Sequence, residues 1–143
     1  RHWAQHGRAE KLVFSYHGLP KVIIKKGDPY AEQCVATTNA IVNKLDIDPS
    51  SWELVYQSRL GAQEWLKPYC ADRLEELPKE GVRSVDVVCP GFAVDCLETL
   101  EEIAMTNKEL FEEAGGETFR YIPTLGATDE AVTLMERLIR AQL

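Results

Sequence analysis

Five residues that can bind metals or protons follow a strand-like segment in the second half of the chain. Val87 and Val88 are typical of a buried strand, and Pro90 with Gly91 would end it. In an open α/β sheet, ligands bind at the loops beyond the carboxyl ends of the strands. Carboxylates at such a place can hold a divalent cation or relay protons. The five residues are Asp95, Cys96, Glu98, Glu101 and Glu102.

The same residues also fit an ordinary helix start. Asp95 can cap the helix, and Glu98 three residues later completes the spacing of a capping box. Acidic side chains are favoured in a first turn by the helix dipole. On this interpretation Glu101 is solvated and Cys96 is a small buried residue.

His17 ends a second apolar segment, residues 11–16, and is followed by Gly18. His17 is therefore predicted to lie where the strand over residues 11–16 ends and a loop begins. An imidazole titrates near neutral pH and can accept a proton there. A lone histidine is more often a surface residue or a hydrogen-bonded core residue than a catalyst, so the placement of His17 at a strand end carries the hypothesis.

Composition and charge exclude several classes of protein. The chain has 143 residues, 45% of them hydrophobic and 27% charged, which suits one globular domain. A net charge of -7 argues against nucleic acid as the main partner, because a phosphate backbone needs a basic face. No apolar run approaches the ~18 residues of a membrane span. The four cysteines form no Cys-x-x-Cys pair, so free thiols in a reducing cytoplasm are expected.

Strand-like and helix-like segments alternate along the chain. Strands are predicted at residues 11–16, 53–57, 84–89 and 118–122. Helices are predicted at about 30–44, 62–80 with a break at Pro68, 95–114, and 128 to the end. This order predicts an α/β fold, a doubly wound four-stranded parallel sheet flanked by helices. His17, residues 57–59 and residues 90–98 would then share one rim.

Four blocks of sequence, in this order, resemble the ferrochelatase family. The resemblance covers the whole chain and implies that residues 1–143 are the C-terminal chelatase domain, a fragment of a longer two-domain protein. The absence of an initiator Met fits that expectation. The last block is similar to the bacterial form of the family signature, with Cys before Leu-Glu. The blocks are Ser15-Tyr16-His17-Gly18-Leu19-Pro20, Gly27-Asp28-Pro29-Tyr30, Gln57-Ser58-Arg59 with Gly61, Trp65-Leu66 and Pro68, and Pro90-Gly91-Phe92 with Asp95-Cys96-Leu97-Glu98 and Glu101-Glu102.

The resemblance implies catalytic and metal-binding roles for three residues. His17 would be the base that accepts pyrrole protons, or a metal ligand. Glu98 would be its acidic partner across the porphyrin and a second metal ligand. Glu102, one helical turn further, would extend an acidic track for protons or incoming metal.

Three more residues would contact the porphyrin on the same resemblance. Trp65 and Phe92 would wall the pocket, and Ser58, with Arg59 nearby, would lie near the propionates. Without the resemblance, Trp65 could anchor a turn and residues 57–59 could cap a strand end.

The activity implied by the resemblance is insertion of ferrous iron into protoporphyrin IX or coproporphyrin to make haem. Fe²⁺ is then a substrate, and neither a permanent cofactor nor an iron-sulfur cluster is expected, because the chain has no cysteine-rich tail. The expected partners are porphyrin, ferrous iron and the N-terminal half of the same protein, in the cytoplasm or peripheral to the inner membrane. The alternatives are a chelatase for another tetrapyrrole, of the cobalt or sirohaem kind, and a non-catalytic porphyrin-binding module. The isolated fragment is expected to be weakly active or inactive.

Overall fold

Four parallel strands form the centre of the computed structural model, which describes residues 2–143. The strands are β1 (Lys11–His17), β2 (Trp52–Gln57), β3 (Ser84–Val88) and β4 (Thr118–Ile122). Their order across the sheet is β2-β1-β3-β4, and all neighbours are parallel. The predicted α/β fold is confirmed, with each strand within one residue of its predicted bounds. Because all strands point the same way, their carboxyl ends meet at one rim.

Helices cover both faces of this sheet. A π-helix over Glu102–Asn107 joins two of them, and a 3₁₀ turn over Pro49–Ser51 precedes β2. Within residues 2–143, no helix is both long and apolar enough to cross a membrane. The α-helices are α1 (His2–His6), α2 (Lys21–Lys25), α3 (Tyr30–Leu45), α4 (Cys70–Glu76), α5 (Leu97–Leu100), α6 (Lys108–Glu113) and α7 (Asp129–Arg140).

One face of the sheet, here called the closed face, is covered by α4, the π-helix and α6. Its apolar side chains have almost no contact with solvent. Burying a large apolar side chain contributes about 1.5–3 kcal/mol, so this layer is the main core. Its largest buried members are Val13, Val55, Leu74, Leu77, Val85, Val87, Ile103 and Phe111.

The other face, here called the open face, has α3 and α7 beside it. Its buried cluster includes Leu12, Phe14, Tyr16, Cys34 and Val42. An apolar groove of about 1160 Å³ runs between α1, β1, α3, the loop after β3 and α7. Several apolar side chains of α7 remain 47–63% exposed: Val132, Leu134, Met135, Leu138 and Ile139.

The helix predicted over residues 62–80 is largely wrong, because only Cys70–Glu76 is helical within it. Residues 62–68 form bends instead, with one isolated bridge between Trp65 and Pro20. Their backbone groups pair with the segment after β1: Lys21 N–H donates to the Glu64 carbonyl, and Leu66 N–H donates to the Leu19 carbonyl, each at 2.9 Å. A helix would have to break these bonds.

The predicted helix cap at Asp95 is also wrong. Helix α5 begins at Leu97 and its cap is Cys96, whose N–H donates to Thr99 Oγ1 at 3.0 Å. The Asp95 carboxylate instead accepts hydrogen bonds from the Tyr121 hydroxyl at 2.7 Å and from the Thr99 hydroxyl at 3.2 Å. The predicted 95–114 helix is otherwise present as α5, the π-helix and α6 in succession.

Candidate active site

His17 lies half-buried at the carboxyl end of β1. Its Nδ1 is 2.7 Å from the carbonyl oxygen of Gly18. Because a carbonyl oxygen can only accept, Nδ1 must carry the ring proton. Nε2 then has a lone pair that can take up a proton or bind a metal ion. The backbone holds the imidazole in the tautomer that a proton acceptor needs.

Two neighbours fix the backbone around His17. The Tyr30 hydroxyl, from α3, donates to the His17 carbonyl at 2.9 Å. Burial raises the pKa of Tyr30, so this hydroxyl keeps the proton that it donates. Gly18 follows with its N–H 2.7 Å from the Gln57 carbonyl. A Cβ on Gly18 would come within 2.9 Å of that oxygen and 3.2 Å of the Trp65 ring, so only glycine fits here.

Glu98 lies half-buried in α5, on the same rim. Hydrogen bonds from the Cys96 thiol and from its own backbone N–H lower the pKa of Glu98, and attraction to His17 adds a smaller lowering. The carboxylate is therefore ionised at neutral pH, and His17 lies near enough to interact with it. The structure brings together the two residues that the resemblance implied as a pair.

Gln57 is a site residue that sequence reasoning treated only as part of a strand-end cap. Its amide is buried between three elements of the rim. Nε2 donates to the Glu98 carbonyl at 2.6 Å. Oε1 accepts from Ser15 Oγ at 2.8 Å and from the Cys89 thiol at 3.5 Å. The sequence held one clue to this role: Gln57 is two residues after Val55, so its polar side chain points to the side of β2 that is buried.

Glu102 and Ser58 are bound to each other. The Ser58 N–H donates to Glu102 Oε1 at 2.6 Å, and the Ser58 hydroxyl donates to Oε2 at 2.5 Å. Gln57 Nε2 adds a longer contact of 3.3 Å to Oε2. Both carboxylate oxygens of Glu102 are thus occupied by donors, and so is the polar side of Ser58.

The three residues expected to contact a porphyrin occupy different surroundings. Phe92 is half-buried, packs against the closed-face core and reaches the apolar groove. Trp65 is only 8% exposed, donates from Nε1 to the Leu60 carbonyl, and has its ring 6.4 Å from the His17 ring. The almost fully buried Trp65 ring thus lies beside His17. Arg59, beside Ser58, stacks on Tyr69 at 4.5 Å.

The predicted metal ligands do not form a ready-made cluster. Across residues 2–143, no three His, Cys, Asp or Glu side chains are arranged to hold a metal ion. All four cysteines are free, as predicted.

Fold and rim together define an α/β domain that presents a basic imidazole and an ionised carboxylate at the carboxyl ends of parallel strands. The ferrochelatase family model matches residues 1–143. The chain belongs to the ferrochelatase family. It is 56% identical to the ferrochelatase of Methylococcus capsulatus, over 99% of this chain and 43% of that protein. It is 47% identical to ferrochelatase 1 of Shewanella oneidensis, over 99% of this chain and 42% of that protein.

The shared region is a part of each relative. The ferrochelatase of Pseudoalteromonas atlantica is 46% identical over 99% of this chain, which is 39% of that protein. The chain therefore spans about two fifths of the length of the curated relatives that it matches.

Proposed function

We propose that the protein containing this chain inserts ferrous iron into a porphyrin, protoporphyrin IX or coproporphyrin, to make haem. One observation carries the proposal: the free Nε2 of His17 and the ionised carboxylate of Glu98 share a rim in a chain of the ferrochelatase family. Iron is the substrate in this scheme. No resident cofactor or iron-sulfur cluster forms part of the proposal.

The chemistry needs two proton acceptors and an anchor for a cation. Insertion exchanges the two pyrrole N–H protons of the porphyrin for one Fe²⁺, without oxidation. Nε2 of His17 takes one proton as a general base. Glu98, ionised and adjacent, attracts the cation and takes the second proton as the ion enters the ring. Because His17 ends β1 and Glu98 lies in α5, the two groups can act on a flat ligand from different directions.

Porphyrin contact is proposed for Phe92, Trp65 and Ser58. Phe92 has a half-buried aromatic ring that a porphyrin could contact, and the Trp65 ring lies beside His17. Ser58 contributes through the turn that it forms at the end of β2, because its hydroxyl is already engaged by Glu102.

We further propose that this chain is the C-terminal domain of a longer protein whose other half packs on the open face. The exposed apolar side of α7 and the adjoining groove of about 1160 Å³ support this. The relatives are also more than twice as long as the chain. The isolated chain should then insert metal weakly or not at all. Adding the separately expressed remainder of the protein should restore turnover, and robust turnover by the chain alone would contradict the proposal.

We propose a cytoplasmic location with peripheral contact to an anionic membrane. Helix α2 exposes Val22 and Ile23 beside Lys25 and Lys26, a basic apolar patch on a chain of net charge -7. Such a patch gains roughly 1 kcal/mol per Lys near an anionic surface. Sedimentation with phosphatidylglycerol vesicles should fall when Lys25 and Lys26 become Glu, and should not fall for Lys79→Glu. Equal binding to neutral vesicles would contradict an anionic surface.

The decisive experiment follows zinc or ferrous insertion by absorbance in the full-length protein, with protoporphyrin IX and with coproporphyrin. His17→Ala and Glu98→Gln should each lower kcat/KM by about 100-fold or more, the scale of a lost general base. Two matched controls, His6→Ala and Glu101→Gln, change exposed residues of the same types and should stay within about two-fold of wild type.

Two alternatives give different outcomes in the same experiment. A chelatase for another tetrapyrrole would turn over only when that ring, or cobalt, is supplied. A non-catalytic binding module would bind porphyrin with no turnover under any condition. Turnover that survives His17→Ala would keep the family and remove His17 as the base.

A further inference from the structure

Glu102 is tied to the end of β2 by three hydrogen bonds. It accepts from the Ser58 N–H at 2.6 Å, from the Ser58 hydroxyl at 2.5 Å and from Gln57 Nε2 at 3.3 Å. Hydrogen bonds to an ionised acceptor are about twice as strong as neutral ones. A carboxylate has about four lone-pair sites, and these three hydrogen bonds leave one of them, on Oε1, for any metal ion.

Ser58 is held in a strained conformation by this contact. Its φ is +63°, one of two positive values among the non-glycine residues of 2–143. The left-handed region is sterically unfavourable for a residue other than glycine. Such a conformation persists where surrounding groups hold the residue from several sides. Glu102 does this by accepting both from the backbone N–H and from the hydroxyl of Ser58.

The Ser58 turn leads into the segment that supports His17. Residues 59–64 follow it, and Trp65 closes the segment by donating to the Leu60 carbonyl at 2.9 Å. The Trp65 ring then lies beside His17 and against Gly18. On its other side, Glu102 is one helical turn after Glu98. The Glu102–Ser58 contact therefore joins the segment that lies against His17, residues 58–65, to the helical run that carries Glu98.

We propose that Glu102 is a positioning residue rather than a metal ligand: its carboxylate latches the Ser58 turn onto the helix of Glu98 and so sets the distance between Glu98 and His17. This inference rests on the proposed function for its catalytic consequence. The latch itself is a structural statement that can be tested without turnover.

The structural test is hydrogen exchange at the Ser58 amide of the full-length protein. In Glu102→Ala this amide should exchange at least about ten-fold faster, because its acceptor is gone. The control Glu101→Ala changes a neighbouring exposed acid and should leave that exchange rate unchanged. Unaltered protection of Ser58 in Glu102→Ala would overturn the latch, whatever the activity of the enzyme.

The kinetic test separates positioning from metal binding. Glu102→Ala and Ser58→Ala should each lower kcat by about 10- to 100-fold, the scale expected for a misplaced catalytic group. The KM for the metal should stay within about two-fold. The double variant should be no worse than the poorer single one, because both changes break one contact. Two results together would show that Glu102 is a metal ligand and would overturn the proposal. The metal KM would rise ten-fold or more in Glu102→Ala but not in Ser58→Ala, and the effects of the two substitutions would add in the double variant.

A rescue variant makes the test sharper. Glycine adopts φ of +63° without a steric cost. Adding Ser58→Gly to Glu102→Ala should therefore restore part of the kcat lost in Glu102→Ala. A missing metal ligand could not be replaced in this way, so no rescue in a folded double variant counts against the latch. If wild type shows no turnover with any porphyrin while the exchange result holds, the proposed function fails and the latch stands.

Discussion

The two faces of the sheet differ in how completely the chain covers them. On the closed face, Val13, Leu74 and Ile103 have no exposed surface. On the open face, the same sheet borders a groove of about 1160 Å³, and Leu134 of α7 is 47% exposed. One sheet therefore carries a finished core on one side and an apolar surface without a cover on the other.

The candidate site belongs to the finished side. Side chains two residues apart on a strand share a face. His17 and Ser15 therefore follow Val13, and Gln57 follows Val55, toward the closed face. The π-helix that begins at Glu102 packs there too. The rim takes its geometry from the closed face, which is already packed within this chain and fixes the elements that carry His17 and Glu98.

The largest expected effect compares one leucine from each face. Leu74→Ala should lower the free energy of unfolding of the chain by about 2–5 kcal/mol, because it empties a fully enclosed site. Leu134→Ala should cost less than about 1 kcal/mol, since its side chain is already half in water. Urea unfolding followed by circular dichroism measures both.

The same pair tests what the open face is for. In the full-length protein the cost of Leu134→Ala should rise toward that of Leu74→Ala if the rest of the protein covers α7. Equal losses for the two variants in the isolated chain would show instead that the open face is already a core.

The order of strands and helices could be predicted from the sequence because it depends on local patterns of apolar residues. Apolar runs such as residues 84–89, separated by helix-like segments, predicted the parallel sheet. A parallel sheet puts all strand ends at one rim, so the meeting of His17 with the segment of Glu98 was also predicted. The partners of Gln57 and Glu102 were not, because they lie 41 to 45 residues apart in sequence and depend on how the elements pack.

The errors have a common cause. Residues 62–68 contain helix-forming side chains, but tertiary hydrogen bonds to the segment after β1 outweigh that local preference. Asp95 has the spacing of a helix cap, yet the Tyr121 hydroxyl on β4 competes for its carboxylate. Helices α1 and α2, of five residues each, are too short to produce a clear helical period.

Alanine substitutions at two glycines, Gly18 and Gly91, should differ in stability by an intermediate amount. Gly18→Ala would put a Cβ 2.9 Å from the Gln57 carbonyl, which belongs to the backbone of the closed-face rim and cannot move freely. The expected loss is about 1–3 kcal/mol, with displacement of His17. At Gly91 the nearest atom is Tyr16 Cδ1 at 3.4 Å, an ordinary contact, so Gly91→Ala should be nearly neutral. Equal thermal stabilities of the two variants would contradict a rigid rim.

The smallest expected effect concerns Asp95, which fastens the loop after β3 to β4 beside the open face. Burial would raise the pKa of this carboxyl, but hydrogen bonds from Tyr121, Thr124 and Thr99 together outweigh burial and lower the pKa below its ordinary value of 3.8. A group whose pKa is lower in the folded state contributes stability above the unfolded-state pKa. That contribution disappears as the pH falls through the folded-state pKa.

Asp95→Asn should therefore be slightly less stable than wild type at neutral pH, and the difference should shrink as the pH falls well below 3.8. Urea midpoints of the two proteins measured from neutral to strongly acidic pH would show this convergence. Because the carboxylate lies in a largely exposed loop, solvent screening keeps the effect below that of Gly18→Ala on the closed side. A gap that is constant across the whole pH range would mean that Asp95 holds the loop by shape alone, and that its charge contributes nothing to the border of the open face.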